Sequence, residues 1–352
     1  MAQDSTAAQM SVEPFAFDAS SCLCCLPSLR AHRADVGCSC AELAVGELTV
    51  HVLTDGAITT DAAWVFPSVG GAELAAAFPG GRAALSFGCA LLRTPELLVL
   101  LDTSLGIDGG AVGHLVQSTH PSAATPARPM RDLRELLAEV GVAPSEVDVV
   151  VHTHLHRDHT SWNVVPDERG GLSPCFPRAK HLVRRAELDY WGSTEAHRAR
   201  CQFETNIAPL ISAGLVHCVE GDATYDICPG VSLLPLPGHT PAHQIVQICS
   251  RGQRAFFVGD ALHFLQQVER PDWSPRFDYD EEVAAEQRAT LLARIERENA
   301  TLIAPHFPFP GLGTLALQMT GNGGRGAMRF VPTSGIGSAR RRQLWKECGE
   351  CQ

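Results

Sequence analysis

Apolar runs of strand length recur along this chain, and several end on a polar residue with chemistry to offer. Leu48 to Thr54 alternates apolar with polar and ends in the turn pair Asp55-Gly56. Glu96 to Thr103 reads as a buried strand with a polar end, and so does the β-branched run Val147 to Thr153. Further strands are expected at Ala179 to Val183, Leu215 to Val219, Val231 to Leu236, Gln244 to Cys249, Ala255 to Val258 and Thr301 to Ala304. Helical spacing appears between them. Leu133, Leu136, Leu137 and Val140 share a face in a helix from Arg131 to Val140, which Gly141 stops. Helices are also expected over Arg184 to Trp191, over Glu204 to Ala213, and over Asp280 to Asn299 with Val283, Gln287, Leu291 and Ile295 on one side. Two stretches break the pattern. Residues 64–84 suit a loop with a short helix that covers a site, and 106–129 is a long Gly-, Pro- and Ser-rich connection. Strands interleaved with helices, without a clean repeat or linker, predict one α/β domain over residues 46–332. Residues 1–45 are expected to form a Cys-rich, partly ordered extension, and 333–352 a flexible tail.

The densest chemistry follows the Val147 strand. His154-Leu155-His156-Arg157-Asp158-His159 packs three imidazoles and a carboxylate into six positions. Open α/β sheets place their sites at such strand ends. His154 and His156 are two apart, so an extended backbone aims both rings the same way. Asp158 and His159 are adjacent and so point apart; one short loop then offers ligands to two cations. Three later strand ends repeat the theme: Gly238-His239-Thr240-Pro241, Gly259-Asp260 and Pro305-His306. Neutral imidazole and carboxylate are the ligands of Zn²⁺, Mn²⁺ and Fe. A carboxylate between two cations offsets their repulsion, and two metals roughly 3.5–4 Å apart hold a shared hydroxide nucleophile.

Composition narrows the partners. The chain has 352 residues, 45% of them hydrophobic, and a net charge of −11. That balance disfavours nucleic acid, which needs a basic footprint, and favours a small-molecule substrate. No apolar run approaches the roughly 20 residues that cross a bilayer, so no membrane partner is expected. The first ten residues lack the features of a secretory signal, so a cytoplasmic location is expected. Thirteen cysteines then read mainly as thiols rather than a disulfide framework. The poorly spaced set Cys22, Cys24, Cys25, Cys38 and Cys40, and the terminal Cys348-Gly349-Glu350-Cys351, leave metal binding or redox chemistry open. A homodimer is also open.

The H-x-H-x-D-H run at 154–159, Gly238-His239-Thr240-Pro241, Gly259-Asp260 and His306, with Thr54-Asp55-Gly56 and Leu101-Asp102-Thr103 before them, resemble the metallo-β-lactamase superfamily over residues 46–332. The resemblance implies an αββα sandwich with a dinuclear metal site at one edge between the sheets. It implies one metal on His154, His156 and His239, a second on Asp158, His159 and His306, and Asp260 as the bridge. Two divalent cations are implied, zinc ahead of manganese or iron. Asp55 and Asp102 are expected to orient ligand histidines. Gly259 to His263, Gln267-Val268-Glu269 and Pro305 to Gly311 are similar to methyl parathion hydrolase, a group close to the N-acyl-homoserine lactonases. Those lactonases usually carry Tyr where His263 stands. His159-Thr160-Ser161-Trp162-Asn163 departs from the D-H-x-G-G of glyoxalase II and the β-lactamases.

The implied activity is hydrolysis of a lactone, ester or organophosphate by a bridging hydroxide. Asp158 or His263 returns the proton to the leaving group, with His263 equally placed to hold a ligand. Residues 64–84, Trp162 and the segment around Phe264 and Trp273 are expected to wall the substrate. His243 is expected to cap or pack a turn, and His152 to lie in the core or behind a ligand. An iron-dependent redox enzyme, a thioesterase and a metal-binding protein without turnover remain as alternatives.

Overall fold

Successive side chains along the strands enter different cores. Val50 and Val52, Ala90 and Leu92, Val99 and Leu101, and Val149 and Val151 face one way. Leu91, Leu100 and Val150, between them, face the other. The strands are thus buried on both sides, which is why their sequences run apolar without a clean alternation.

The computed structural model describes residues 39–106, 125–128, 130–319 and 325–333. Its strands are β1 (Cys40–Val45), β2 (Leu48–Asp61), β3 (Arg82–Arg93), β4 (Leu98–Leu101), β5 (Thr125–Arg128), β6 (Val149–Val151), β7 (Val164–Pro166), β8 (Leu172–Pro174), β9 (Lys180–Arg184), β10 (Val216–Val219), β11 (Tyr225–Cys228), β12 (Val231–Pro235), β13 (Gln244–Ser250), β14 (Gln253–Phe257), β15 (Thr301–Ile303), β16 (Leu312–Met319) and β17 (Arg325–Pro332). The first sheet runs β1-β2-β3-β4-β6-β9-β10, with β5 added to β2. The second runs β11 to β17 in chain order, and β7-β8 is a separate hairpin. Valines and leucines of both sheets meet in one central core, where Val52, Leu92 and Val151 share a cluster with Val246, Phe257 and Ile303. The helix Leu133–Glu139 covers the outer face of the first sheet through Leu133, Leu136 and Leu137. The helix Glu281–Arg297 covers the second through Leu291, Leu292 and Ile295. This is the expected αββα sandwich. Among the described residues, no helix is long and apolar enough to cross a membrane.

Several elements differ from the sequence reading. Asp55-Gly56 is not a turn. β2 continues to Asp61 through a bulge between Thr54 and Gly56, where the Thr54 hydroxyl faces the Phe87 and Gly56 carbonyls. The first sheet begins at Cys40, inside the stretch assigned to the N-terminal extension; β1 closes on β2 through the two-residue link at Gly46-Glu47. β3 went unassigned because its interior is buried without alternation. The helix expected over 204–213 is two pieces, Phe203–Asn206 and Ala208–Ser212, because Pro209 lacks the N–H that a continuous helix needs. Residues 64–84 supply the helices Ala62–Val65 and Gly71–Ala77 and then enter β3. The cysteines before Ser39 and the Cys348–Cys351 motif lie outside the described residues.

Gly238 shows how tightly one loop is set. Its φ is +131°, and a Cβ there would meet the Ala284 backbone N at 2.5 Å. Its carbonyl accepts from Asp280 N at the start of the helix Glu281–Arg297. Gly238→Ala is expected to cost about 2–4 kcal/mol, from strained backbone plus a clash that only backbone movement relieves. Urea unfolding of the two proteins measures it, and an unchanged midpoint would contradict the packing described.

Candidate metal centre

Four strand ends arrive at one edge of the sandwich. β6 leads into the histidine run, β12 into His239, β14 into Asp260 and β15 into His306. Hydrogen bonds fasten the ends to one another. Gln244 N donates to Thr153 O at 2.9 Å and Gln244 Nε2 to His152 O at 2.8 Å, joining the two sheets. Ser86 N donates to His306 O at 3.1 Å, and Thr103 N to His159 O at 2.9 Å.

The seven residues named from the sequence as cation ligands converge in two groups that share Asp260. In the first, His156 Nδ1 lies 2.9 Å from both His154 Nε2 and His239 Nε2. Asp260 Oδ2 is 3.0 Å from His239 Nε2 and 3.5 Å from His154 Nε2. In the second, Asp260 Oδ1 is 2.9 Å from His159 Nε2 and 2.8 Å from His306 Nε2. Asp158 Oδ2 stands 3.8 Å and 3.9 Å from the same two nitrogens. Each oxygen of one carboxylate therefore faces a different group. Asp158 and His159 reach the same group because Arg157–His159 is a 3-10 turn rather than extended chain, which corrects the expectation that they point apart.

The far nitrogen of each ring decides what the near one offers. His306 Nδ1 lies 2.7 Å from the Ser86 carbonyl oxygen. A carbonyl only accepts, so Nδ1 carries the proton and Nε2 presents a lone pair in the neutral ring. His159 Nδ1 donates to Asp102 Oδ2 at 2.8 Å, and His239 Nδ1 to Asp278 Oδ1 at 2.9 Å. The Thr153 hydroxyl donates to Asp102 Oδ2 and lies 3.1 Å from His154 Nδ1. Lone pairs converging from several rings repel unless something positive sits among them. Imidazole nitrogens and carboxylate oxygens in this arrangement suit a divalent cation such as zinc, so the donor set fits two metals.

Burial and charge pull the rings apart in proton affinity. Burial, then His159 nearby, pushes His154 well below its usual value, and burial, then His239, does so for His156. For His159, burial is outweighed by Asp260, Asp102 and Asp158, which raise it. His239 is likewise raised, against burial, to about 9 by Asp260 and Asp278. Asp260, buried as it is, is held well below the usual carboxylate range by His159, His306, His154 and His239.

Residues around the groups take defined places. His263 Nε2 is 3.1 Å from Asp260 Oδ2, and burial lowers its pKa to about 4. His243 caps a turn, as expected: Nδ1 donates to Leu236 O and Nε2 accepts from Asp260 N. His152 is buried against His181, 3.1 Å away. Asp102 holds His159, but Asp55 holds no histidine among the described residues. It accepts from Leu105 N and Gly106 N, and burial raises its pKa to about 6. Trp162, Phe264 and Trp273, expected as substrate walls, are buried in the core. Half-buried Phe277 instead lies 5.3 Å from the His263 ring, with half-buried Trp64 5.8 Å from Phe277. The sequence reading also passed over Asp278, Glu187 and Arg288. Arg288 donates to Asp278 Oδ2 at 2.8 Å and to Ala261 O at 2.7 Å, tying the His239 anchor to the Asp260 turn. Its helical spacing with Leu291, Leu292 and Ile295 was the available signal that it faces inward.

The family model of the metallo-beta-lactamase superfamily matches residues 89–306. An N-acyl homoserine lactonase of Bacillus cereus is 26% identical over 231 residues, 65% of this chain and 84% of that protein. A solved structure described as "AidC, a Dizinc Quorum-Quenching Lactonase", in complex with a product, superposes with a TM-score of 0.67 at 22% identity, covering 85% of this chain and 98% of that one. The hydrolase AbOPH superposes with a TM-score of 0.68 at 20% identity, covering 86% of this chain and 99% of that one. At these identities the two structures speak for the fold.

Asp102 offers a direct test of the site's support. Its carboxylate accepts from Thr153 N, Thr153 Oγ1 and His159 Nδ1, all buried. Asp102→Ala strands these three donors and is expected to lower stability by about 3 kcal/mol or more, at 1–3 kcal/mol per unsatisfied group. Chemical denaturation measures the loss, and a change under about 1 kcal/mol would show that the network contributes little.

Proposed function

The chain belongs to the metallo-beta-lactamase superfamily, and from that premise we propose that it is a hydrolase that uses two divalent cations, zinc foremost, to open a lactone or related ester bond. The observation that carries this reading is the position of Asp260, with one oxygen toward each of two imidazole groups. His154, His156 and His239 would hold one cation, Asp158, His159 and His306 the other, with Asp260 between. The catalytic unit would be residues 46–332 with β1 added in front.

Two such cations supply water activation at neutral pH and polarisation of a carbonyl oxygen. The chain's own residues do the rest. Asp102, Asp278 and the Ser86 carbonyl keep His159, His239 and His306, respectively, in one tautomer, so no ring has to reorganise during turnover. Asp158 is the more open carboxylate of the cluster, its side chain 16% exposed against 4% for Asp260. It is the group placed to carry a proton between the reacting centre and solvent. Burial lowers the His263 pKa to about 4, and its Nε2 faces Asp260. That favours holding the bridging carboxylate over protonating a leaving group.

Relatives named N-acyl homoserine lactonase support the lactone choice. Trp64 and Phe277, 5.8 Å apart, give an apolar wall suited to an acyl chain. The net charge of −11 favours a neutral substrate over a polyanion. The test is hydrolysis by zinc- and manganese-loaded protein of N-acyl homoserine lactones, simple γ- and δ-lactones, aryl esters and a phosphotriester. Lactones are expected to turn over fastest, and His154→Ala to lower kcat/KM by about a hundredfold or more, the order seen when a transition-state-stabilising group is removed. Lactones left intact, or turnover that survives in His154→Ala, would overturn the assignment.

A further inference from the structure

A single buried carboxylate outside both groups joins the two loops that deliver the first. Glu187, in the helix Arg185–Gly192, is 1% exposed. Its Oε1 accepts from Leu155 N at 3.1 Å and from Trp191 Nε1 at 2.6 Å. Its Oε2 accepts from Thr240 Oγ1 at 2.8 Å and from Ala242 N at 3.3 Å. Leu155 lies between His154 and His156, and Thr240 follows His239. One carboxylate thus spans the His154–His156 segment and the His239 loop. All four partners are neutral donors, and among the described residues no cation pairs with the negative charge. Burial raises its pKa, and only these donors oppose that. Burying such a group costs free energy that its four hydrogen bonds must offset, so the donors of both loops are held to it. Trp191, one helical turn on, adds an edge contact to the His156 ring at 5.0 Å.

We propose that Glu187 is a positioning residue for the first cation: it sets the distance between the His154–His156 segment and His239, and contributes negative charge to that side of the site. This rests on the two-cation reading above and assigns to one of the two cations a dependence that the other lacks. The second group is anchored elsewhere, by Asp102 and the Ser86 carbonyl. Glu187→Gln separates charge and acceptor geometry from packing. Whichever way the amide is turned, its NH₂ faces a backbone N–H, that of Leu155 or that of Ala242, so one loop must move.

The experiment is a zinc titration of the chelator-stripped full chain against a chromophoric chelator, with the visible spectrum of the cobalt-loaded protein as a second readout. Wild-type protein is expected to take two zinc ions. In Glu187→Gln one of them is expected to bind roughly 10–100-fold more weakly, the usual cost of losing a group that supports a ligand, while the other is unchanged. Ile295→Ala, in the core of the second sheet, is the control: it lowers stability and leaves both affinities alone. Should Glu187→Gln fail to fold, Thr240→Val removes the shorter of the two links to the His239 loop, leaves that of Ala242 N, and is expected to weaken the same single cation. Equal affinities in variant and wild type, or a loss shared by both cations, would overturn the proposal. Wild-type protein that binds fewer than two zinc ions would overturn the two-cation reading itself, and this proposal with it.

Discussion

One buried carboxylate set among imidazoles is the constraint on which this architecture turns. Asp260 lies within 3.5 Å of nitrogens from His154, His159, His239, His263 and His306. A lone carboxylate at that depth would pick up a proton or unfold the loop that carries it. Here the surrounding rings hold it ionised. Meeting that demand requires four strand ends, from two sheets, to finish within a few ångströms of each other. The β6–β9 and β14–β15 parallel pairings deliver three of those ends, and the links from Gln244 to residues 152 and 153 lock the sheets together.

The second requirement is that each ring keep one tautomer. The far nitrogens of His159, His239 and His306 meet Asp102, Asp278 and a main-chain carbonyl. Arg288 steadies Asp278, and the Asp102 carboxylate also binds Thr153. The arrangement at the edge therefore depends on groups outside both ligand groups, and stability and site geometry are one problem here rather than two.

The inner residues were legible because ligand chemistry is dense in sequence. Three histidines in six positions, and a His or Asp at each of three later strand ends, leave little room for coincidence. The outer anchors were not legible by that logic. Glu187 sits among Arg185, Asp189 and other polar residues on a short helix, and nothing local marks it as buried. Asp278 lies in a Pro- and Asp-rich loop that reads as solvent-facing. The same physics explains the missed strands. β3 is apolar on both faces and carries Gly88, so neither alternation nor boundary stands out. Aromatic residues misled in the opposite direction: Phe264 and Trp273 look like cleft walls by their place after Asp260, yet they fill the core beside Phe66 and Phe78.

The central claim is that Asp260 stands between two cations. Anomalous diffraction from crystals grown with zinc, recorded on both sides of the metal edge, tests it most directly. The account predicts two peaks roughly 3.5–4 Å apart, one beside His154, His156 and His239, the other beside Asp158, His159 and His306. A single peak, or peaks that leave either group empty, would contradict it.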